Sequence, residues 1–359
     1  MVKPILLFVL GLVLLIKGGD WFVDGSVGVA RRFRLPEILI GATVVSIGTT
    51  LPEVMVSATS ALEGHPEMSY GNAIGSIICN AALIAAVTIA VRPGAVNRRS
   101  MKLPVIFFFL SAVLYCAVSY FAGTFARPVG IALLVIFLVY MILSVREAKR
   151  NPLPELPEGQ APEAAEGNAN FSSESVSVGT DAPAEQSQTE ATDPQTDRKK
   201  ARLALLKDVA LLVVGAALIA VGARLLVDNG TELAEKMGVP STVIALTFVA
   251  LGTSLPELIT AITSLVKGHS ALSIGNIIGA NLFNLVLVCG LSITLRPFDV
   301  PATSSVGGLN TSLVVDLPLM ATVMLILTVP ALLRGKLARW QGILLLCLYA
   351  AFCAFQFVI

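Results

Sequence analysis

The sequence predicts an all-α integral membrane protein whose ten transmembrane helices form two inverted five-helix repeats. Three observations carry that prediction. The 359-residue chain is 55% hydrophobic and 14% charged, where a soluble domain carries about 25% charged residues, and its mean hydropathy is +0.82. Apolar segments lie at 4–27, 37–62, 68–91, 103–122 and 128–145, then at 207–228, 240–266, 271–295, 312–333 and 341–358. Each is close to the ~20 residues that cross a hydrocarbon core, the longer ones tilted or broken. Finally, one stretch occurs twice. Residues 41–80, GATVVSIGTTLPEVMVSATSALEGHPEMSYGNAIGSIICN, align without a gap on residues 245–284, ALTFVALGTSLPELITAITSLVKGHSALSIGNIIGANLFN, at a constant offset of 204.

The first segment has an early lysine but no clear small-residue cleavage site, and it has a counterpart from Asp208 onward, so it reads as a retained span rather than a signal peptide. Residues 1–146 form the first repeat and 203–359 the second. Between them, 147–202 is rich in Pro, Glu, Ser, Thr and Gln, with no Lys or Arg from Asn151 to Asp197. Too little apolar surface is present there to drive folding, which predicts a disordered acidic linker. The five cysteines, at 79, 116, 289, 347 and 353, all sit in apolar runs and read as small hydrophobes. A net charge of +1 gives no reason to expect nucleic acid as a partner. The expected surroundings are the lipid bilayer and inorganic cations, with no obligatory protein partner and no cofactor.

Basic residues next to the spans set the orientation. Arg31, Arg32 and Arg34 follow segment 1, and Arg92, Arg98, Arg99 and Lys102 follow segment 3. Arg146, Lys149, Arg150, Arg198, Lys199, Lys200 and Arg202 bracket the linker, Lys267 follows segment 7, and Arg334, Lys336 and Arg339 follow segment 9. All these loops fall on one side, which predicts a cytoplasmic linker and both termini outside. Five spans per half is an odd number, so homologous halves must be inverted. That is the architecture of a secondary transporter with its site at the midplane, where the repeats meet.

The duplicated stretch keeps polar residues where packing alone would not require them. Pro52 and Pro256 lack an N–H and clash with the carbonyls of Gly48 and Gly252, so each helix is expected to break or kink at GTTLPE and GTSLPE. Carbonyls freed at membrane depth are tolerated only around an enclosed polar cavity. Thr49 and Thr50 share a helical face with Glu53, as Thr253 and Ser254 do with Glu257. On the following helices Asn72, Ser76 and Asn80 form a row, matched by Asn276, Ala280 and Asn284, while Gly71, Gly75, Gly275 and Gly279 lie beside the rows and permit close helix approach. The set is all oxygen with two carboxylates, which suits hard cations; two glutamates neutralise one Ca²⁺ or two monovalent ions. Competition between those occupancies gives exchange without covalent chemistry, so no enzyme is expected. A channel would assemble a filter around a pore axis, and an intramembrane metalloenzyme would place His or Cys near the carboxylates. Neither pattern is present in these stretches. His65 and His269, also repeat equivalents, read as helix-end surface residues.

GTTLPE and GTSLPE, each followed by GN-x-x-G-x-x-x-x-N, resemble the two α-repeats of the calcium/cation antiporter superfamily, in particular its bacterial sodium/calcium exchanger-like branch. The resemblance covers both repeats and essentially all ten spans. It implies Na⁺/Ca²⁺ antiport by alternating access in the bacterial cytoplasmic (inner) membrane, exporting Ca²⁺, with H⁺-coupled Ca²⁺ exchange as the alternative. It implies Glu53 and Glu257 as the central Ca²⁺ site and Thr49, Thr50, Thr253 and Ser254 as Ca²⁺ or Na⁺ ligands. Asn80 and Asn284 with Ser76 complete the set, and backbone carbonyls near Ser46 and Ala250 would serve flanking Na⁺ positions. Two departures stand out: Asn284 is acidic in many relatives, typically the K⁺-dependent ones, and Ala280 is often Ser. The first weakens the case for K⁺ co-transport, and the second means that stoichiometry does not carry over.

Overall fold

The computed structural model describes residues 2–150, 194–237, 250–302 and 305–358. The first half runs as α1 (Val2–Arg32), α2 (Glu37–Ile40), a π-helical turn (Gly41–Val45), α3 (Ser46–Glu63), α4 (Pro66–Cys79), a π-turn (Asn80–Ile84) and α5 (Ala85–Val91). Strand β1 (Gly94–Ala95), α6 (Arg98–Phe121), β2 (Thr124–Phe125) and α7 (Arg127–Arg150) complete it. The second half runs as α8 (Pro194–Lys236), α9 (Ala250–Thr253), α10 (Leu255–Val266), α11 (Ser270–Phe283), a π-turn (Asn284–Val288) and α12 (Cys289–Leu295). Strands β3 (Phe298–Asp299), β4 (Ser305–Val306) and β5 (Leu309–Asn310) follow. The half then closes with a π-turn (Ser312–Asp316), α13 (Leu317–Arg334), β6 (Lys336–Leu337) and α14 (Arg339–Val358).

Among the described residues, nine helical spans are long and apolar enough to cross a membrane, and Leu255–Val266 is a shorter apolar helix. That shorter helix belongs to the segment expected over 240–266, whose first residues lie outside those described. Helices α7 and α8 run into both ends of the tract expected to be a linker, through Arg150 and from Pro194. The expectation of disorder for the rest, 151–193, concerns residues outside those described.

The internal symmetry extends beyond sequence. The offset of 204 carries α4 onto α11, the π-turn at Asn80 onto that at Asn284, α5 onto α12 and β1 onto β3. Strand β1 pairs with β6 and β2 with β3, each antiparallel, so every inter-helix strand of one half finds its partner in the other. The helices exchange partners the same way. Gly130 of α7 lies against the Gly290 carbonyl of α12, and Gly342 of α14 against the Ala86 carbonyl of α5. Reciprocal pairing of this kind is what two halves related by an in-plane pseudo-two-fold produce.

Burial divides the spans into a core and a periphery. Of the apolar window in Ser270–Leu295, 83% is buried, and of that in Met68–Val91, 72%; for Arg127–Glu147 the share is 22%. The inner spans are therefore wrapped by protein on nearly all sides and can hold polar groups that lipid could not accommodate. Helices α1 and α8 form a separate pair at the edge, closed by a seam of small residues. A β-carbon on Gly25 would lie 2.5 Å from the Asp208 carbonyl oxygen and 2.5 Å from the Leu212 nitrogen, and one on Gly18 would lie 2.8 Å from the Ile219 nitrogen. At such distances backbones touch, which is how helices associate where no hydrophobic effect drives them together. Lys267, after α10, ties this pair to the core: its ammonium donates to Asp24 Oδ1 at 2.8 Å and to the Asp20 carbonyl at 2.9 Å.

The seam makes a prediction. Gly25→Leu cannot be absorbed without separating α1 from α8 and is expected to cost about 1–3 kcal/mol, the usual cost of overpacking. A lipid-facing change, Leu110→Ala, is expected to leave stability nearly unchanged. Thermal unfolding in detergent, monitored by size exclusion, checks the contrast; equal midpoints for both variants would refute the seam.

Candidate cation site

Each half contributes a carboxylate, and they come from helices that start differently. In the second repeat α9 ends at Thr253, Ser254 leaves the helix at φ −88° and ψ 5°, and α10 restarts at Leu255 with Pro256 and Glu257 in its first turn. The break expected at GTSLPE is present, and it sets Glu257 at a helix N-terminus, where the helix dipole favours negative charge. In the first repeat, where a break or a kink is expected, there is no break: α3 continues from Ser46 to Glu63 through Pro52. Proline's fixed φ is compatible with the helix, so the loss of one backbone hydrogen bond is borne without interruption. The backbone irregularity there sits one turn earlier, in the π-turn Gly41–Val45.

Glu53 and Glu257 are both fully buried, and all four carboxylate oxygens lack a hydrogen-bond partner among the described residues. The two groups are close enough to repel one another, and the Glu257 carboxyl faces the Thr49 and Thr50 hydroxyls of the opposite repeat. Across the same boundary the Ser254 hydroxyl approaches that of Ser76 at 3.5 Å. Thr49, Thr50, Ser76 and Ser254 are each at most 4% exposed, and the Thr50 hydroxyl is also unpartnered. Thr253 is half-buried at the end of α9. Ala250 opens that short helix, and its side chain is outside what is described.

Asn80 and Asn284 are fully buried, and both polar atoms of each amide lack partners among the described residues. Each is the first residue of a π-turn, a distortion that shifts the carbonyl pattern and recurs at functional sites. Ser46 is differently placed. Its hydroxyl proton is shared between the Gly41 carbonyl at 2.7 Å and the Asn276 carbonyl at 2.9 Å, a contact that joins the repeats.

Two residues matter more than their place in the sequence rows implied. Asn276 accepts from Thr49 Oγ1 at 3.2 Å through Oδ1 and donates Nδ2 to Thr260 Oγ1 at 3.2 Å, linking α3, α10 and α11. Its repeat equivalent Asn72 donates Nδ2 to the Glu53 carbonyl at 3.2 Å and to Ser57 Oγ at 2.8 Å. Their identity at the same repeat position was the available signal. The glycines beside them behave as expected in the second repeat: a β-carbon on Gly275 would fall 2.2 Å from the Ile38 carbonyl oxygen, and one on Gly279 would fall 2.3 Å from Ser46 Oγ. Gly71 and Gly75 meet no described atom within 4 Å, and the equivalents of Ile38 and Ala42, at 242 and 246, lie outside the described residues.

A cleft of about 210 Å³ reaches this region, lined by Thr49, Pro52 and Pro256 on the core side and Phe22, Ala216 and Ile219 on the α1/α8 side. A larger surface pocket of about 390 Å³, near Arg92, Leu265 and Ser270, contains no carboxylate and is separate from the site.

Comparison with known proteins agrees with this geometry. The sodium/calcium exchanger protein profile matches residues 3–146 and 207–358, leaving out only the tract between the repeats and the chain ends. The chain belongs to the sodium/calcium exchanger family. Sodium/calcium exchanger MaX1 of Methanosarcina acetivorans is 29% identical to this exchanger-family chain over 99% of its length and 98% of the relative's. Inner membrane protein YrbG of Escherichia coli is 32% identical over 82% of this chain and 80% of its own. Among solved structures, the sodium-calcium exchanger NCX_Mj soaked with Na⁺ and no Ca²⁺ matches with a TM-score of 0.76 at 27% identity, covering 98% of both chains. The same protein soaked with Na⁺ and Sr²⁺ matches with a TM-score of 0.74. This family member is therefore a multi-pass integral membrane protein of the antiporter fold.

The bridging role of Asn276 is testable. Asn276→Leu removes the side-chain acceptor of the buried Thr49 hydroxyl and the donor to Thr260 Oγ1, at about 1–3 kcal/mol, and should weaken Ca²⁺ binding roughly tenfold while the protein still inserts. Radioactive Ca²⁺ binding to purified protein measures this, and wild-type affinity would remove Asn276 from the site.

Proposed function

We propose that this exchanger-family protein couples Na⁺ entry to Ca²⁺ export across the cytoplasmic membrane, with Glu53 and Glu257 carrying the charge of the site. The observation that carries the reading is a pair of fully buried carboxylates, mutually repelling and without hydrogen-bond partners among the described residues, contributed symmetrically by two halves of a membrane core. Left as they are, such groups cost several kcal/mol each. A hard cation removes the cost, and Ca²⁺ accepts the six to eight oxygen ligands that the surrounding residues could supply. Thr49, Thr50, Thr253, Ser254 and Ser76 would add neutral oxygens, Asn80 and Asn284 amide oxygens, and the backbone near Ser46 and Ala250 carbonyls. With two negative charges, one Ca²⁺ or two Na⁺ neutralise the set, so the ions exclude each other electrostatically. The name of MaX1 supports this ion pair.

Access would alternate as the α1/α8 pair slides over the core, since that pair is a compact unit that faces both prolines across the cleft. The basic loops after segments 1, 3, 5, 7 and 9 support an orientation with the linker in the cytoplasm and both termini outside.

Uptake of ⁴⁵Ca²⁺ into proteoliposomes loaded with Na⁺, with and without an imposed pH gradient, tests the proposal. Uptake should require internal Na⁺ and fall to background in Glu53→Gln and in Glu257→Gln. Uptake that follows the pH gradient and ignores Na⁺ would replace Na⁺ coupling by H⁺ coupling.

A further inference from the structure

We propose a second, peripheral binding site for a hard cation of the sodium or calcium size, built on Asp316, Tyr70 and Ser312. Four π-turns are found among the described residues. Three belong to the central site: Gly41–Val45 leads into Ser46 and Thr49, and the other two begin at Asn80 and Asn284. The fourth, Ser312–Asp316, lies at the start of another span and has no role there. It ends in a carboxylate inside the span, where an ionisable group needs a reason.

The surroundings of that carboxylate resemble a ligand shell. Asp316 Oδ1 is buried and has no hydrogen-bond partner among the described residues. The Tyr70 hydroxyl, on a residue only 4% exposed, is also buried without a hydrogen-bond partner among the described residues, with Ser312 and Asp316 in its surroundings. Ser312, 5% exposed, donates to the Pro301 carbonyl at 2.9 Å and keeps its oxygen lone pairs for a cation. The shell is all oxygen with one negative charge, and no cationic side chain pairs with Asp316 among the described residues. Hard cations take such sets.

The fold does not itself demand an acid here. Lys102-Leu103-Pro104 of the first repeat and Asp316-Leu317-Pro318 of the second both lie at the start of a span, at an offset of 214 rather than the 204 of the duplicated stretch, and they carry opposite charges. A mere topology signal would be met by an exposed carboxylate, whereas here the inner oxygen is buried near two hydroxyls. Helix α4 joins the two sites: Asn72 holds the Glu53 carbonyl, and Tyr70, two residues earlier, has Asp316 in its surroundings. The peripheral site therefore lies beside the central one, on the side where β2 pairs with β3.

Tyrosine-sensitised Tb³⁺ luminescence of the purified full chain tests this independently of the central carboxylates. In Glu53→Gln/Glu257→Gln protein, tyrosine-excited emission should persist. Adding Asp316→Asn should weaken Tb³⁺ binding at least about tenfold, since affinity follows ligand charge. Adding Tyr70→Phe, which removes one oxygen and also the sensitising ring, should weaken cation binding by a smaller factor, read as ⁴⁵Ca²⁺ bound to the same double variant, and Na⁺ or Ca²⁺ should displace Tb³⁺. No emission in the double variant, displacement by neither ion, or unchanged affinity in Asp316→Asn would overturn the proposal. If Asp316→Asn does not fold, unchanged affinity in Tyr70→Phe overturns it alone.

Discussion

Everything in this molecule depends on keeping two like charges together in the middle of a membrane. Glu53 and Glu257 are fully buried, repel each other and have no hydrogen-bond partners among the described residues. Neither desolvation nor repulsion is relieved by a fixed cationic side chain, and a fixed countercharge would occupy the place a transported ion needs. Stability and function therefore pull in opposite directions at this point, and the rest of the fold supplies what the site itself cannot.

That supply comes from duplication and inversion. Each half alone would bring one carboxylate and one bridging asparagine. Together they place Thr49 and Thr50 before Glu257, Ser254 beside Ser76, and Asn276 between Ser46, Thr49 and Thr260. Close packing at Gly275 and Gly279 holds α11 against α2, the first π-turn and α3, which fixes the distance across which those contacts form. The reciprocal strand pairs β1–β6 and β2–β3 tie the same halves together at their two ends. The α1/α8 pair, welded along its own glycine seam, meets the core through the cleft at Pro52 and Pro256 and through the Lys267 contacts.

Much of this was legible in the sequence because duplication acts as an internal control. A glutamate held at the same place in two copies, inside apolar runs, has no packing explanation, and the asparagine rows announced the helix faces in the same way. What stayed hidden was whatever lacks a twin or depends on neighbours. Pro52 and Pro256 look alike in sequence, but the second follows a break in its helix, whereas α3 runs on through the first. π-turns leave no periodic signature. Asp316 has no acidic twin, since the similar Leu-Pro pair of the first repeat follows Lys102. His269 looked like a surface histidine, yet its Nδ1 lies 2.8 Å from Glu37 Oε1 in a partly buried pair, a contact between residues 232 positions apart that no local pattern reveals.

The central claim is that one set of oxygens around Glu53 and Glu257 holds Ca²⁺ or Na⁺ but not both. Equilibrium binding of ⁴⁵Ca²⁺ to the purified protein, titrated with Na⁺, addresses it most directly. The account predicts about one Ca²⁺ per chain at the central site, the number two carboxylates neutralise, displaced competitively by Na⁺ and lost in Glu257→Gln. Ca²⁺ binding that Na⁺ does not affect, or that survives loss of both carboxylates at full affinity, would contradict it.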